Sequence, residues 1–322
     1  MPRWGIIGTG DISDRVVADL LGVGGEVTAV WGRSPARAAD FASRHGIPYS
    51  SAGRAEMLTR TDIDIVYIAT PVDTHTAITL EALDAGKHVL VEKPIATSAA
   101  EAELLFAKAR DVDRFLMEAM WMRFNPLHVE LIDRIARGEI GAVRSVRASF
   151  GTPFHPRPGK ERPEDGGSIV RDRGIYPVTL AHWFLGEPAH VSADGVVSDG
   201  VDLSGHATLE HADGGFAQLA WSGVEFLDLS AAVSGERGWI TIDPMFWAGG
   251  NARIHAGSAE RIFRDPERVM HPRVGNGYGP MLLAVIEAVE AGEREHPWHD
   301  AATTIAVTAT LDRILADISS AR

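Results

Sequence analysis

The sequence predicts an α/β protein in two parts, a doubly wound parallel sheet followed by an α/β domain with an open, mainly antiparallel sheet. Three observations predict it. Up to about Met120, short apolar runs alternate with helix-length stretches, the grammar of a parallel sheet covered on both faces. Gly8-Thr9-Gly10 follows the first apolar run and opens a helical pattern. Beyond Trp121 the apolar period changes to two, as in strands with one polar face. The expected division is therefore 1–120 and 121–322.

In the first part, Trp4–Ile7, Val27–Trp31, Ile65–Ala69, His88–Val91 and Phe115–Glu118 read as buried strands. Helical patterns cover Ile12–Leu21, Ala36–His45, Arg54–Leu58, Thr76–Ala85 and Ala99–Arg110. Ser98-Ala99-Ala100-Glu101 forms a capping box for the last of them. The second part opens with a helix from Pro126 to Arg137, stopped by Gly138. Val201, Leu203, Ala207 and Leu209 then alternate with Asp202, Ser204, His206, Thr208 and Glu210. Ala217, Leu219 and Trp221 repeat the pattern after the turn Ala212-Asp213-Gly214-Gly215, which predicts a hairpin. Arg144–Phe150, Val191–Val197, Asp228–Ser234 and Trp239–Asp243 extend the sheet, and helices at Tyr278–Ala291 and Ala301–Ile318 close the chain. The Pro- and Arg-rich Thr152–Asp165 is one long loop, expected to face a substrate.

A chain of 322 residues suffices for two sizeable cores. With 31 basic and 44 acidic residues the net charge is −13. That argues against nucleic acid or an anionic membrane as a general partner, because both call for a basic face. The lack of cysteine excludes disulfides and thiolate chemistry. No charged leader segment and no apolar run of ~18 residues occurs, so a cytoplasmic location is the expectation. No His, Asp or Glu cluster has ligand spacing, and no metal is expected.

Gly8-Thr9-Gly10-Asp11-Ile12 sits at the strand-to-helix turn where a dinucleotide's pyrophosphate meets free backbone N–H groups and a positive helix end. Ser13 stands where the third glycine of that fingerprint would be. The second strand runs into Gly32-Arg33-Ser34-Pro35-Ala36-Arg37 without a carboxylate. A ribose 2′-hydroxyl calls for an acid there, a 2′-phosphate for arginine. Arg33, Ser34 and Arg37 therefore favour NADP over NAD, although Arg37 reads equally well as a solvated helix residue. Glu92-Lys93-Pro94 ends another strand, at the edge where open parallel sheets bind ligands. Tyr176, in Asp172-Arg173-Gly174-Ile175-Tyr176-Pro177, lies four residues after Asp172 and hence on one helical face with it. A phenol with pKa near ~10 acts as a base at neutral pH only beside a cation, a role open to Lys93. On spacing alone, Lys93 reads as a surface lysine and Tyr176 as a buried tyrosine.

With these motifs together the chain resembles the Gfo/Idh/MocA oxidoreductase family over nearly its whole length. The resemblance rests on Ile68-Ala69-Thr70-Pro71 with His75, on Ala85 through Pro94, and on Gly174-Ile175-Tyr176-Pro177. Glu118-Ala119-Met120-Trp121-Met122-Arg123-Phe124-Asn125-Pro126 is similar to the subgroup of dimeric dihydrodiol dehydrogenases and NADP-dependent D-xylose 1-dehydrogenases. The resemblance implies a Rossmann domain and a second domain whose sheet makes a homo-oligomer, a dimer or tetramer. It also implies a catalytic pair of lysine and tyrosine, matched by Lys93 and Tyr176. Two departures stand out: Val72 where many relatives have asparagine, and Arg171 and Arg173 flanking Asp172.

The expected activity is hydride transfer between NADP and a sugar or cyclic polyol, with Tyr176 as acid and base, Lys93 tuning it, and Asp172 orienting. Ala69, Thr70, Pro71, His75, Glu92 and Lys93 itself join the expected cofactor contacts. Trp121, Arg123, Phe154, His155 and His182 are candidate pocket residues, each also readable as structural. Two rivals remain. One is a dinucleotide-binding sensor without catalysis, against which the presence of both Lys93 and Tyr176 argues. The other is a redox-neutral enzyme that keeps its nucleotide.

Overall fold

The computed structural model describes residues 1–153 and 167–320. The loop expected at Thr152–Asp165, with Phe154 and His155, thus lies almost wholly outside the described residues. The chain forms two compact units, Met1–Phe124 with Val274–Ile305, and Asn125–Arg273 with Ala306–Arg322. By contacts the chain leaves the first unit at Phe124 and later returns to it, whereas the sequence reading divides it once, after residue 120.

In the first unit the strands are β1 (Arg3–Ile7), β2 (Glu26–Trp31), β3 (Tyr49–Ser50), β4 (Ile65–Ile68), β5 (His88–Val91) and β6 (Leu116–Glu118). The helices between them are α1 (Asp11–Gly22), α2 (Pro35–His45), α3 (Arg54–Leu58), α4 (His75–Asp84) and α5 (Ala99–Asp111). The sheet order is β3-β2-β1-β4-β5-β6, parallel throughout. That is the Rossmann order, and its direction reverses between β1 and β4, where such sheets bind their ligands. Strand residues with alternate sides both covered explain the continuous apolar runs: Ile65–Ile68 is wholly buried. Ile7, Ile68, Val89 and Val91 pack in one core with Ile78 and Leu83 of α4 and Leu105 and Phe106 of α5. The Ser98 hydroxyl caps α5 by accepting the Glu101 N–H at 3.3 Å, and the Glu101 carboxylate reaches back to the Thr97 N–H at 2.9 Å. Only β3, two residues long, escapes the sequence pattern.

The second unit begins with α6 (Pro126–Ala136) and β7 (Val143–Gly151). A wide π-helical turn, Val170–Gly174, runs into α7 (Ile175–Leu185). There follow β8 (His190–Ser198), β9 (Val201–Glu210), β10 (Phe216–Ser222), β11 (Ala231–Gly235), β12 (Gly238–Ile242) and β13 (Asn251–Ala256). A short helix α8 (Ala259–Phe263) leads to β14 (Glu267–Met270). The eight strands lie in the order β14-β13-β12-β11-β7-β10-β9-β8. All pairs are antiparallel except β7 with β10. The expected hairpin is β9–β10. Its alternation breaks at Leu203, because Val196 pairs with Ser204 and Val197 with Asp202. This bulge turns Asp202 inward, contrary to the polar face expected of it, and its carboxylate accepts the N–H groups of Ile169 and Val170 at 3.1 and 2.6 Å. Burial raises the Asp202 pKa.

The return to the first unit is made by α9 (Gly279–Glu290), while α10 (Ala301–Ser320) spans the boundary at Ile305. Asp19, buried on α1, accepts the backbone N–H groups of Asn276 at 2.9 Å and Tyr278 at 2.8 Å. The Leu116 N–H donates to the Arg294 carbonyl at 3.0 Å, so the segment also extends the pairing of β6. No helix among the described residues is long and apolar enough to cross a membrane.

Candidate active site

At the carboxyl edge of the first sheet, the residue after each strand keeps pairing with its neighbour. Gly8 N–H donates to the Trp31 carbonyl, Ala69 N–H to Ile7, Glu92 N–H to Ile68 and Ala119 N–H to Val91, at 2.7–2.8 Å. The segments singled out in the sequence therefore leave one rigid edge. Gly8 has φ +114°, and a Cβ there would lie 2.2 Å from the Ala69 carbonyl oxygen. No side chain fits. Gly10 is the opposite case: it precedes α1, and a Cβ on it would meet nothing within 4 Å. A closed turn followed by open space at a helix N-terminus suits a pyrophosphate. Thr9 and Ile12 are half-buried and Asp11 is exposed, whereas Ser13 is buried in the third-glycine position.

At the end of β2, Arg33 is exposed and Ser34 caps α2, its hydroxyl accepting the Arg37 N–H at 3.4 Å. The Arg37 guanidinium turns back and donates to the Thr9 carbonyl at 3.4 Å. Arg37 is thus an exposed residue of α2 whose guanidinium also borders the glycine turn. Ser34 keeps a hydroxyl proton to donate, and the two arginines supply fixed donors, a set that fits a phosphate.

Lys93 is half-buried and joined to Pro94 by a cis peptide bond. Its loop is held from behind. The buried Glu92 carboxylate accepts the Tyr67 hydroxyl at 2.6 Å. His75, 2% exposed, sets Nδ1 2.9 Å from the Pro94 carbonyl and Nε2 2.9 Å from that of Thr70. Burial holds the His75 pKa below its ordinary value, and a neutral ring donates to one of these carbonyls at a time. His75 therefore ties the Thr70-Pro71 turn to the Lys93 loop, and its ring has no surface left for the direct cofactor contact expected of it. Thr74 closes the same turn, donating to the Thr70 hydroxyl at 2.7 Å.

In the second unit Asp172 lies within the π-helical turn and Tyr176 in the first turn of α7. The wider turn alters the phase between them from the α-helical spacing expected. Gly174 allows the close approach of this segment to β10, since a Cβ would sit 2.7 Å from Val170 Cγ2 and 3.4 Å from the Trp221 ring. Arg173, buried, donates to the carbonyls of Thr152 and Ser222 and lies over the Phe150 ring. Arg171 pairs with Asp312 of α10 at 3.3 Å. Both arginines are thus engaged within the unit. The Tyr176 ring, 5% exposed, leans on Phe150 and Trp247, which stack on each other at 3.6 Å. Trp247 carried no sequence signal, because it stands 71 positions after Tyr176 and no motif surrounds it.

The remaining candidates have structural partners. Trp121 is buried with its ring 5.0 Å from that of Tyr278. Arg123 donates from Nε to the Trp298 carbonyl at 3.1 Å, and burial lowers its pKa to about 10. Among the described residues no three acidic or histidine side chains gather as metal ligands do. His182 lies on α7, its Nε2 2.9 Å from the Thr310 hydroxyl of α10, and burial lowers its pKa to about 4. Unfolded, the ring titrates near ~6.5. The folded state thus refuses a proton that the unfolded chain binds, and stability is lost as pH falls from about 6.5 towards 4. A His182→Leu variant should lose about 2–3 kcal/mol less than the wild type between pH 7.5 and about pH 4.5. Urea unfolding at both pH values checks this; equal losses would remove His182 from the acid limb.

Residues 2–120 match the family described as "Oxidoreductase family, NAD-binding Rossmann fold", and residues 128–241 match the "GFO/IDH/MocA C-terminal domain". The chain belongs to the Gfo/Idh/MocA oxidoreductase family. Within it, the chain is 33% identical to trans-1,2-dihydrobenzene-1,2-diol dehydrogenase of Xenopus tropicalis over 97% of both sequences. It is 34% identical to dTDP-3,4-didehydro-2,6-dideoxy-alpha-D-glucose 3-reductase of Streptomyces antibioticus over 76% of this chain and 75% of that one. Among solved structures of the family fold, it is similar to a 3-ketoreductase from Actinomadura kijaniata in complex with NADP and TDP-benzene. That likeness has a TM-score of 0.85 and 29% identity, covering 97% of this chain and 96% of the other. An aldose-aldose oxidoreductase from Caulobacter crescentus complexed with glycerol gives a TM-score of 0.88 at 25% identity, covering 100% and 98%.

Proposed function

We propose that the protein is an NADP-dependent oxidoreductase moving a hydride between nicotinamide C4 and the carbinol or carbonyl carbon of a sugar or cyclic polyol. The observation that carries this reading is the carboxyl edge of the first sheet, where the closed turn at Gly8, the open helix end at Gly10 and Lys93 all rise from paired strand ends. The bound dinucleotide supplies the hydride chemistry, and this chain's residues bind, orient and move the proton. In oxidation the substrate hydroxyl gives its proton to the Tyr176 phenolate as the carbon gives up hydride; in reduction the Tyr176 hydroxyl returns it. The Lys93 ammonium stabilises the phenolate, and Asp172 orients the substrate or that lysine. The dihydrodiol dehydrogenases and sugar ketoreductases similar to this chain support the substrate class. A homo-oligomer formed through the eight-stranded sheet belongs to the same reading, and light scattering in solution tests it.

Arg33, Ser34 and Arg37 support NADP over NAD. Arg33→Ala is expected to weaken NADP binding about tenfold to a hundredfold, the worth of one charge-assisted hydrogen bond, and to leave NAD unchanged. Calorimetric titration of both nucleotides checks it, and an equal loss for each would sink the 2′-phosphate assignment. For the activity itself, a panel of aldoses, polyols and dihydrodiols with NADP is followed by the absorbance of the reduced nicotinamide. The likeness to the aldose-aldose oxidoreductase favours one second reading, in which the nucleotide stays bound and hydride passes between two sugars. In that case purified protein retains nucleotide, and product forms from paired sugars with no net change in reduced cofactor. If neither assay yields product, the oxidoreductase reading fails.

A further inference from the structure

Glu118 and His299 are interior residues of the first unit, 1% and 0% exposed. Glu118 ends β6. Its Oε2 faces His299 Nε2 at 2.9 Å, and its Oε1 accepts the Ile95 N–H at 2.9 Å. Ile95 comes two residues after Lys93, directly beyond the cis Lys93–Pro94 bond. His299 Nε2 also lies 3.3 Å from the Thr304 hydroxyl, while its Nδ1 is buried with no hydrogen-bond partner among the described residues.

An apolar pair of similar volume would fill this space at less cost, because a buried carboxylate gives up its hydration and a buried ion pair is seldom a net source of stability. Apolar side chains would, however, leave the Ile95 N–H unsatisfied. The carboxylate is a fixed acceptor for a backbone group beside Lys93, and the imidazole from the returning C-terminal segment fixes the carboxylate. With His75 on the Pro94 carbonyl and the Glu92 N–H on the Ile68 carbonyl, the peptide groups around Lys93 are then held on each side.

We infer that Glu118 and His299 are positioning residues that set where the Lys93 ammonium stands, so that the C-terminal segment takes part in the reaction through the lysine loop. The role in turnover rests on the oxidoreductase reading above; the effect on Lys93 does not. The test uses Glu118→Gln, which keeps an oxygen for Ile95 but exchanges the contact to His299, and His299→Gln as a second, independent variant. Acetylation of Lys93 against pH is followed by mass spectrometry, with the half-buried Lys108, ion-paired with Asp84 at 2.5 Å, as internal reference. A displaced ammonium changes its labelling, since half a unit in amine pKa alters the free-amine fraction about threefold. Both variants are expected to shift Lys93 labelling by at least about that factor and leave Lys108 unchanged. Turnover should fall about tenfold to a hundredfold, with the dinucleotide Kd near wild type and the pH limb of kcat displaced. Melting temperatures that fall while Lys93 labelling and the pH limb stay put would overturn the inference and leave the pair a core contact. Wild-type protein inert towards every substrate would instead count against the oxidoreductase reading, and the labelling arm would still decide the positioning role.

Discussion

Tyr176→Phe is expected to lower kcat by about 10²–10⁴-fold, the range for removal of a positioned acid–base group, with NADP affinity nearly unchanged. The substitution is unusually clean. The ring is 5% exposed and rests on Phe150 and Trp247, so phenylalanine keeps every ring contact and stability should change by no more than about 1–2 kcal/mol. Lys93→Met is the companion variant. On the proposed mechanism, loss of the ammonium should raise the pKa of the group that limits oxidation at low pH, because a phenolate without a neighbouring cation is disfavoured. Stopped-flow turnover, nucleotide titration and a pH profile of kcat distinguish the outcomes. Parallel loss of nucleotide affinity and turnover in Tyr176→Phe would make the tyrosine structural.

The first unit was largely readable from sequence because its strands are buried on both faces and its helices carry local signals. Ile65–Ile68 is a continuous hydrophobic run, Ser98 announces the start of α5, and each falls within a residue or two of the expected position. What escaped depends on partners far apart in the chain. Asp19 looks like any helix aspartate until residues 276–278 fold onto it, and nothing around Val274–Ile305 reveals that it belongs with the N-terminal sheet. The bulge at Leu203 is invisible in an alternating pattern, so Asp202 looked like a solvent-facing residue. In the site, glycines and strand ends were legible because backbone geometry demands particular residue types. The side chains that hold them were not: His75 looked like a ligand contact and proves to be a tie between two carbonyls, and Glu118 meets a histidine 181 positions away.

Gly8 and Gly10 look alike in the motif, yet their replacement by alanine should have opposite consequences. At Gly8 the backbone has φ +114°, a region alanine enters only with strain, and the new Cβ would stand 2.2 Å from the Ala69 carbonyl oxygen and 2.8 Å from its carbon. Both atoms are backbone, fixed by the pairing of Ala69 N–H with Ile7, so they have little room to retreat. Gly8→Ala is expected to cost about 3–5 kcal/mol of stability through strain and overpacking, and the binding edge is lost with it. At Gly10 the backbone is extended, with φ −89° and ψ 176°, which alanine adopts freely, and no atom lies within 4 Å of its Cβ. Gly10→Ala should cost no more than about 1 kcal/mol, the preference of an N-cap for glycine over alanine. Its methyl group would occupy the space through which a pyrophosphate reaches the first N–H groups of α1, and nucleotide affinity should fall about tenfold to a hundredfold. Urea unfolding and calorimetric nucleotide titration on the two variants separate folding from binding. If Gly10→Ala binds NADP as tightly as the wild type, the pyrophosphate does not lie at this turn, whatever the resemblance of the fold.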